Sequence, residues 1–256
     1  MKNLILCELQ RLICGKRIIF LGVVTLLAFL FVCFFVSTFG IGFYDPVTTI
    51  SLDFLNFPPF ILRDFHVFII FVICPLFVVE SFNKELRSGQ YRMVMIRPYT
   101  RKQLFLAKIL SLMIVLAVFT LILWVVGCAY SFLVLPSINQ THFFTEESYS
   151  FSASMWFNFK FYFIEFLILI GVIGIITLMS LICPNTITSY LGSVFVLIVI
   201  GFGYAPMDFL ILSTKSIFDL LLEMGSTWHV ILNLVVVLIT GLGGSWVLYR
   251  REDYLS

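Results

Sequence analysis

The chain has 256 residues, of which 61% are hydrophobic and 12% charged, with a net charge of +2; its mean hydropathy is +1.09. A soluble domain carries about 25% charged residues, so this balance excludes an ordinary water-soluble fold and points to a polytopic helical membrane protein. Six cysteines, Cys7, Cys14, Cys33, Cys74, Cys128 and Cys183, lie in or beside apolar runs with no CxxC pair, which argues against a disulfide framework or a metal site.

The N-terminal stretch MKNLILCELQRLICGKR reads as an amphipathic helix lying in the membrane interface. Leu4, Ile5, Leu9, Leu12 and Ile13 are expected on one face and Glu8 and Arg11 on another. The run from Ile18 to Phe39 is too long for the roughly 7–15 residue apolar core of a signal peptide and lacks a small-residue cleavage site, so it is read as a retained first span. Five further spans are expected at about 60–81, 103–130, 161–182, 188–207 and 228–249, each near the ~20 residues that cross a bilayer. The third run, Gln103 to Pro136, exceeds one bilayer thickness and must tilt or project. Pro184 cannot continue a helix, so Cys183-Pro184-Asn185-Thr186 is read as a tight hairpin between the fourth and fifth spans.

Between spans, Ser137 to Phe159 reads as a polar external loop. A short surface helix is expected before the sixth span, with Ile217, Phe218, Leu221 and Leu222 on one side, Lys215, Asp219 and Glu223 on others, and Gly225 at its end. With the N-terminus in the cytoplasm, 13 of the 16 basic residues fall inside, leaving Arg63, Lys160 and Lys215 outside. That bias places both termini in the cytoplasm.

The sequence offers little for catalysis. His66, His142 and His229 are isolated and no H-E-x-x-H occurs. Gly15-Lys16 is followed by Arg17 and lacks the earlier glycine of a phosphate-binding loop, so any ATP is handled by another polypeptide. The span centres read as free of charge, with Glu80 closing the second span, Glu165 in the first turns of the fourth and Arg63 paired with Asp64. Ion-driven transport, which places ionisable groups near the midplane, therefore finds weak support.

The most charged stretch is ELRSGQYRMVMIRPYTRKQLFLAK, residues 85–108. Ser81 to Leu86 can form a short turn that Gly89 breaks, Tyr91 to Arg97 runs on, and Pro98 ends that piece. Thr100-Arg101-Lys102-Gln103 fits a capping box that launches the third span. Positive-inside anchoring to anionic lipid explains the charge but does not require this ordered connector.

The order Glu80, Glu85, Gly89, then Arg97-Pro98-x-x-Arg101, then Lys108 resembles the permeases of the ABC-2 family of ATP-binding cassette transporters. The C-terminal Trp246, Tyr249, Arg250, Arg251 and Asp253 also follow that family's pattern, whereas Ile96 and Tyr99 depart from it. The resemblance implies an all-α membrane domain over residues 1–256, with six spans, an N-terminal interfacial helix, a cytoplasmic coupling helix between spans two and three, and a short outer helix before span six. It implies a bacterial plasma-membrane protein that is not itself an enzyme. A separate cytoplasmic subunit would bind ATP and magnesium and dock on Glu80, Lys84, Glu85, Arg87, Gly89, Tyr91, Arg97, Pro98 and Arg101. A second permease copy, identical or related, would complete the transporter. Thirty phenylalanines and uncharged span centres suit an amphipathic cargo such as a peptide toxin or antimicrobial peptide. A lipid or drug exporter, or a non-transporting scaffold or sensor, would share the same topology.

Overall fold

The computed structural model describes residues 1–14, 16–44, 48–85, 99–145, 147–224 and 227–251, with side chains at all of these but 16–18 and 227. About 81% of the chain is helical. Helix α1 spans Lys2–Ile13 and α2 Lys16–Phe39. Strands β1 (Ile41–Phe43) and β2 (Thr49–Ser51) form an antiparallel hairpin with Gly42 opposite Ile50. Helix α3 runs Phe57–Lys84, with π-helical segments at Ile69–Ile73 and Glu80–Lys84. Helix α4, Arg101–Val134, leads to a second hairpin of β3 (Gln140–His142) and β4 (Ser148–Ser150). Helices α5 (Phe151–Ile182) and α6 (Thr186–Gly203) follow. A 3₁₀ turn at Ala205–Leu210, helix α7 (Ser213–Leu221) and helix α8 (Thr227–Arg251) complete the described chain.

Six helices, α2, α3, α4, α5, α6 and α8, are long and apolar enough to cross a membrane, which makes the chain a multi-pass membrane protein by length and composition. Helices α3 and α5 form the interior, while α2, α6 and α8 turn most of their apolar surface outward. The closest seam joins α5 to α8. A Cβ on Gly174 would lie 3.1 Å from the backbone of Gly241, and one on Gly241 3.0 Å from that of Gly174, so only glycine permits this approach.

Both hairpins, the 3₁₀ turn and α7 lie at one end of the bundle, the hairpin end. There Phe218 of α7 is fully buried, with rings of Phe161 at 5.0 Å, Phe144 at 5.1 Å and Phe60 at 5.5 Å. Many of the phenylalanines therefore make a core; others, such as Phe31, Phe132 and Phe195, are exposed on the apolar flanks. Gly40, with φ +64°, turns the chain from α2 into β1.

Local chemistry explains several boundaries. Asp53 Oδ1 accepts from the amides of Leu55 and Asn56 at 2.7 and 3.0 Å, and Pro58 and Pro59 occupy the first turn of α3, where no amide partner is lost. The second span thus starts at Phe57 rather than near 60. Pro75 has no N–H to give the carbonyl of Phe71 four residues back; the Tyr190 hydroxyl donates to that carbonyl at 2.7 Å. The Thr100–Gln103 capping box is present in both directions, at 3.0 and 3.3 Å. Helix α4 has 34 residues, about 50 Å at 1.5 Å per residue, well beyond a ~30 Å hydrocarbon core. Helices α5 and α6 meet at the hairpin expected around Pro184.

Three expectations are corrected. Ser137 to Phe159 is not a loop: residues 140–150 carry a hairpin, and α5 begins at Phe151. Its polar residues Ser154 and Asn158 sit on the buried stripe, where Asn158 Nδ2 donates to the Leu55 carbonyl at 2.8 Å. The fifth span ends at Gly203, and 205–210 is 3₁₀ helix. Helix α7 ends at Leu221 through Glu223 at φ +54°, with the Met224 amide reaching the Asp219 carbonyl at 3.0 Å. Gly225 lies outside the described residues.

Candidate functional site

The opposite end of the bundle, the basic end, holds a cluster of four charges, three of them buried, drawn from three helical segments. Glu85 directly follows the second π-helical segment, which carries α3 one turn past Glu80 instead of ending there. Its carboxylate pairs with Lys108 of α4 and Arg11 of α1 through one oxygen. Glu8 lies 2.6 Å from Arg11 and 3.6 Å from Lys108. The Lys108 ammonium also donates to the Ser81 carbonyl at 3.1 Å and stands 5.8 Å from the centre of the Phe82 ring. Lys108 is 1% exposed and Glu85 4%, so these charges are removed from water and must compensate one another.

The charges sum to zero, two carboxylates against two cations. Burial pushes the Glu85 carboxyl up, but Lys108 and then Arg11 outweigh it and hold it below the ordinary carboxylate value. Burial likewise opposes the charge on Arg11, yet the hydrogen bond and charge of Glu85, with Glu8 beyond, keep its pKa above the ordinary value.

This cluster corrects the reading of α1. Glu8 shares the buried face with Leu4 and Leu12, at i, i+4 spacing, because Lys108 and Arg11 await it there; Ile13 is exposed. The Ser111 hydroxyl donates to the Ile5 carbonyl at 3.3 Å and fastens the same face to α4. Around the cluster, Asn83 Nδ2 donates to the carbonyls of Ser180 and Cys183 at 2.9 and 2.8 Å, satisfying the last turn of α5. The Phe105 ring packs at a tilt against Tyr249 and Trp246 of α8, with centroids 5.1 and 5.4 Å away, and Arg101 donates to the carbonyl of Arg250 at 3.0 Å.

Of the nine residues expected at a docking interface, Glu85 is buried in this cluster. Glu80 and Lys84 are partly exposed and form an ion pair at 2.5 Å. Arg101 stands at the start of α4. Arg87, Gly89, Tyr91, Arg97 and Pro98 lie outside the described residues, as does Asp253 of the C-terminal pattern.

A second buried polar pair joins two of the apolar helices. His66 Nδ1 of α3 meets Glu165 of α5, and His66 Nε2 lies 3.0 Å from the carbonyl of Leu210 in the 3₁₀ turn. His66 is 1% exposed and Glu165 fully buried. Glu165 is the fifteenth residue of α5, not in its first turns; counting back from Ile182, it stands about 25 Å from the basic end of that helix. Arg63, expected to pair with Asp64, donates to the Phe43 carbonyl at 2.6 Å, and its charge also acts on the Asp64 carboxylate. Among the described residues no group of three or more His, Cys, Asp or Glu side chains could hold a metal ion. The six cysteines are free thiols; Cys33 and Cys74 are buried, whereas Cys7 and Cys14 are exposed rather than core residues.

The fold and its two buried polar groups define a helical membrane protein with six apolar helices and a charge cluster at one end. The chain belongs to the family described as protein of unknown function, DUF2705, whose model matches residues 19–255. None of the curated proteins matches it.

Proposed function

We propose that the chain is the membrane-spanning subunit of an ATP-driven exporter of the ABC-2 type. The basic end faces the cytoplasm, α1 lies in the interface as an interfacial helix, and the connector 86–98, which lies outside the described residues, is with its flanks the coupling element. The bias of basic residues toward that end supports the orientation. ATP and magnesium belong to a separate cytoplasmic subunit, and a second permease copy completes the assembly.

The observation that carries this reading is how the connector's two ends are held. On one side Glu85 is pinned by Lys108 and Arg11. On the other, Thr100 and Gln103 cap α4, and Arg101 bonds to the end of α8. A push on these two flanks passes to α1, α3, α4 and α8 together. That is the mechanical requirement for coupling two sites. Arg97 and Arg101 supply cationic docking contacts. The apolar flanks and the aromatic core suit an amphipathic or hydrophobic cargo, such as a peptide toxin or antimicrobial peptide leaving the cell.

Co-purification from mild detergent with the ATP-binding subunit encoded nearest to it tests the reading. Wild type should retain that subunit, and the Arg97→Glu, Arg101→Glu double variant should lose it while remaining monodisperse. Equal retention by both forms, or by neither, contradicts it.

A further inference from the structure

A groove of about 620 Å³ opens on the flank of the basic end, between α2, α3 and α6. That volume falls within the roughly 300–1,000 Å³ range of sites that enclose small ligands. Its walls are mostly apolar, with Phe20 from α2, Leu76 from α3, and Ile187 and Leu191 from α6. Phe20, Ile187 and Leu191 are 71%, 74% and 60% exposed, so the groove is open to whatever surrounds the bundle.

Two charges stand at one extremity, Glu80 and Lys84, on successive turns of the π-helical end of α3. Their 2.5 Å ion pair is the one polar contact of either among the described residues. A carboxylate has about four acceptor positions and an ammonium three donors, so each keeps capacity for a further partner. From Lys84 to Leu76 the helix descends roughly 10–12 Å at 1.5 Å per residue. Among the described residues the groove therefore presents one cation and one anion at the level where the apolar helix ends, with a largely apolar trough below in which Thr186 and Tyr190 are the polar residues.

We propose that this groove binds a phospholipid with a zwitterionic, primary-ammonium headgroup, phosphatidylethanolamine. The phosphate sits against Lys84, the ammonium against Glu80, and an acyl chain lies along Phe20, Leu76, Ile187 and Leu191. Charge complementarity selects this occupant. An anionic headgroup could place its phosphate on Lys84 but offers Glu80 no cation. A quaternary ammonium could not donate a hydrogen bond to it, and a soluble phosphoethanolamine would leave the trough uncovered. The site belongs to the isolated chain and does not depend on an ATPase.

The full-length chain, purified in maltoside and exposed to an equimolar mixture of phosphatidylethanolamine, phosphatidylcholine and phosphatidylglycerol, is read by native mass spectrometry. A charged contact at a lipid surface is worth about 1 kcal/mol, or about fivefold in occupancy. Wild type should therefore retain phosphatidylethanolamine about fivefold over phosphatidylglycerol. Glu80→Gln should reverse that preference by freeing Lys84. Leu191→Trp, which fills the trough, should lower retained lipid about fivefold at an unchanged melting temperature. Equal retention of the two lipids by wild type, or full retention by Leu191→Trp, overturns the proposal. So does an efficient interchain disulfide from Leu191→Cys in membranes, with the native cysteines replaced by serine, because a second copy of the chain then covers the groove.

Discussion

Neutralising Glu85 should damage the protein more than neutralising it together with Lys108. In the wild type, two carboxylates and two cations balance, and Lys108 and Glu85 are almost fully excluded from solvent. Glu85→Gln leaves one uncompensated positive charge, and Lys108→Met leaves one negative charge. Removing one partner of a buried pair costs about 3–5 kcal/mol. Because Arg11 is partly open to water and can rescue some of the imbalance, the lower end, about 3 kcal/mol for each single variant, is the better expectation. The double variant restores neutrality with side chains of similar volume and should cost no more than about 1–2 kcal/mol, since such replacements are often nearly neutral. The coupling energy of the cycle is then about 4 kcal/mol or more. At roughly 2–4 °C per kcal/mol for a chain of this size, each single variant melts about 6–12 °C lower and the double variant within about 8 °C of wild type. Thermal unfolding in detergent, followed by circular dichroism, measures all four proteins. Additive losses in the double variant, or singles within about 0.5 kcal/mol of wild type as at exposed pairs, would refute the reasoning.

The same pair sets a pH dependence. The Glu85 carboxyl is lowered by Lys108 and Arg11 against the pull of burial, so its stabilising contribution is present above the ordinary carboxylate value of about 4.3 and is lost as pH falls through the depressed folded-state value. Melting temperature should show no change from this group between pH 8 and 5 and a decline below about 4 that Glu85→Gln lacks; equal acid profiles contradict this. At the α5–α8 seam, Gly174→Leu forces the backbones apart and should cost about 1–3 kcal/mol, whereas Gly243→Ala, with nothing within 4 Å of its Cβ, should be neutral or stabilising by up to about 1 kcal/mol; unfolding titrations of both variants compare them. Replacing Glu165 by Leu strands His66 Nδ1 and should cost about 1–3 kcal/mol. Because His66 also holds the Leu210 carbonyl, that variant should be cut faster by trypsin after the exposed Lys215, with Glu165→Leu, His66→Phe recovering part of the stability.

The sequence alone exposes what is local. The apolar runs, the Thr100–Gln103 capping box, the turn at Pro184 and the amphipathic stripe of α7 each sit within a few residues and appear in the structure. What depends on partners far along the chain is hidden. His66 and Glu165 are 99 residues apart, and each alone looks like an isolated group near a span end. Glu8 looks solvent-facing until Lys108, on another helix, gives it a buried partner. The extension of α3 past Glu80 is masked because a π-helical turn shifts the face presented, burying Ser81, Phe82 and Asn83. The early start of α5 is missed because Ser154 and Asn158 read as loop residues, although they are polar contacts inside a helix interface. The i, i+4 spacing of Leu4, Glu8 and Leu12 was the one available hint of the charge cluster.

The central claim, a permease subunit driven through its connector, is tested most directly by ATP hydrolysis in lipid nanodiscs. The co-expressed ATP-binding subunit is assayed alone, with the wild-type chain, and with the Arg97→Glu, Arg101→Glu variant. The account predicts hydrolysis stimulated by the wild-type chain and returned to the level of the lone subunit by the variant. Identical rates in all three samples would contradict it.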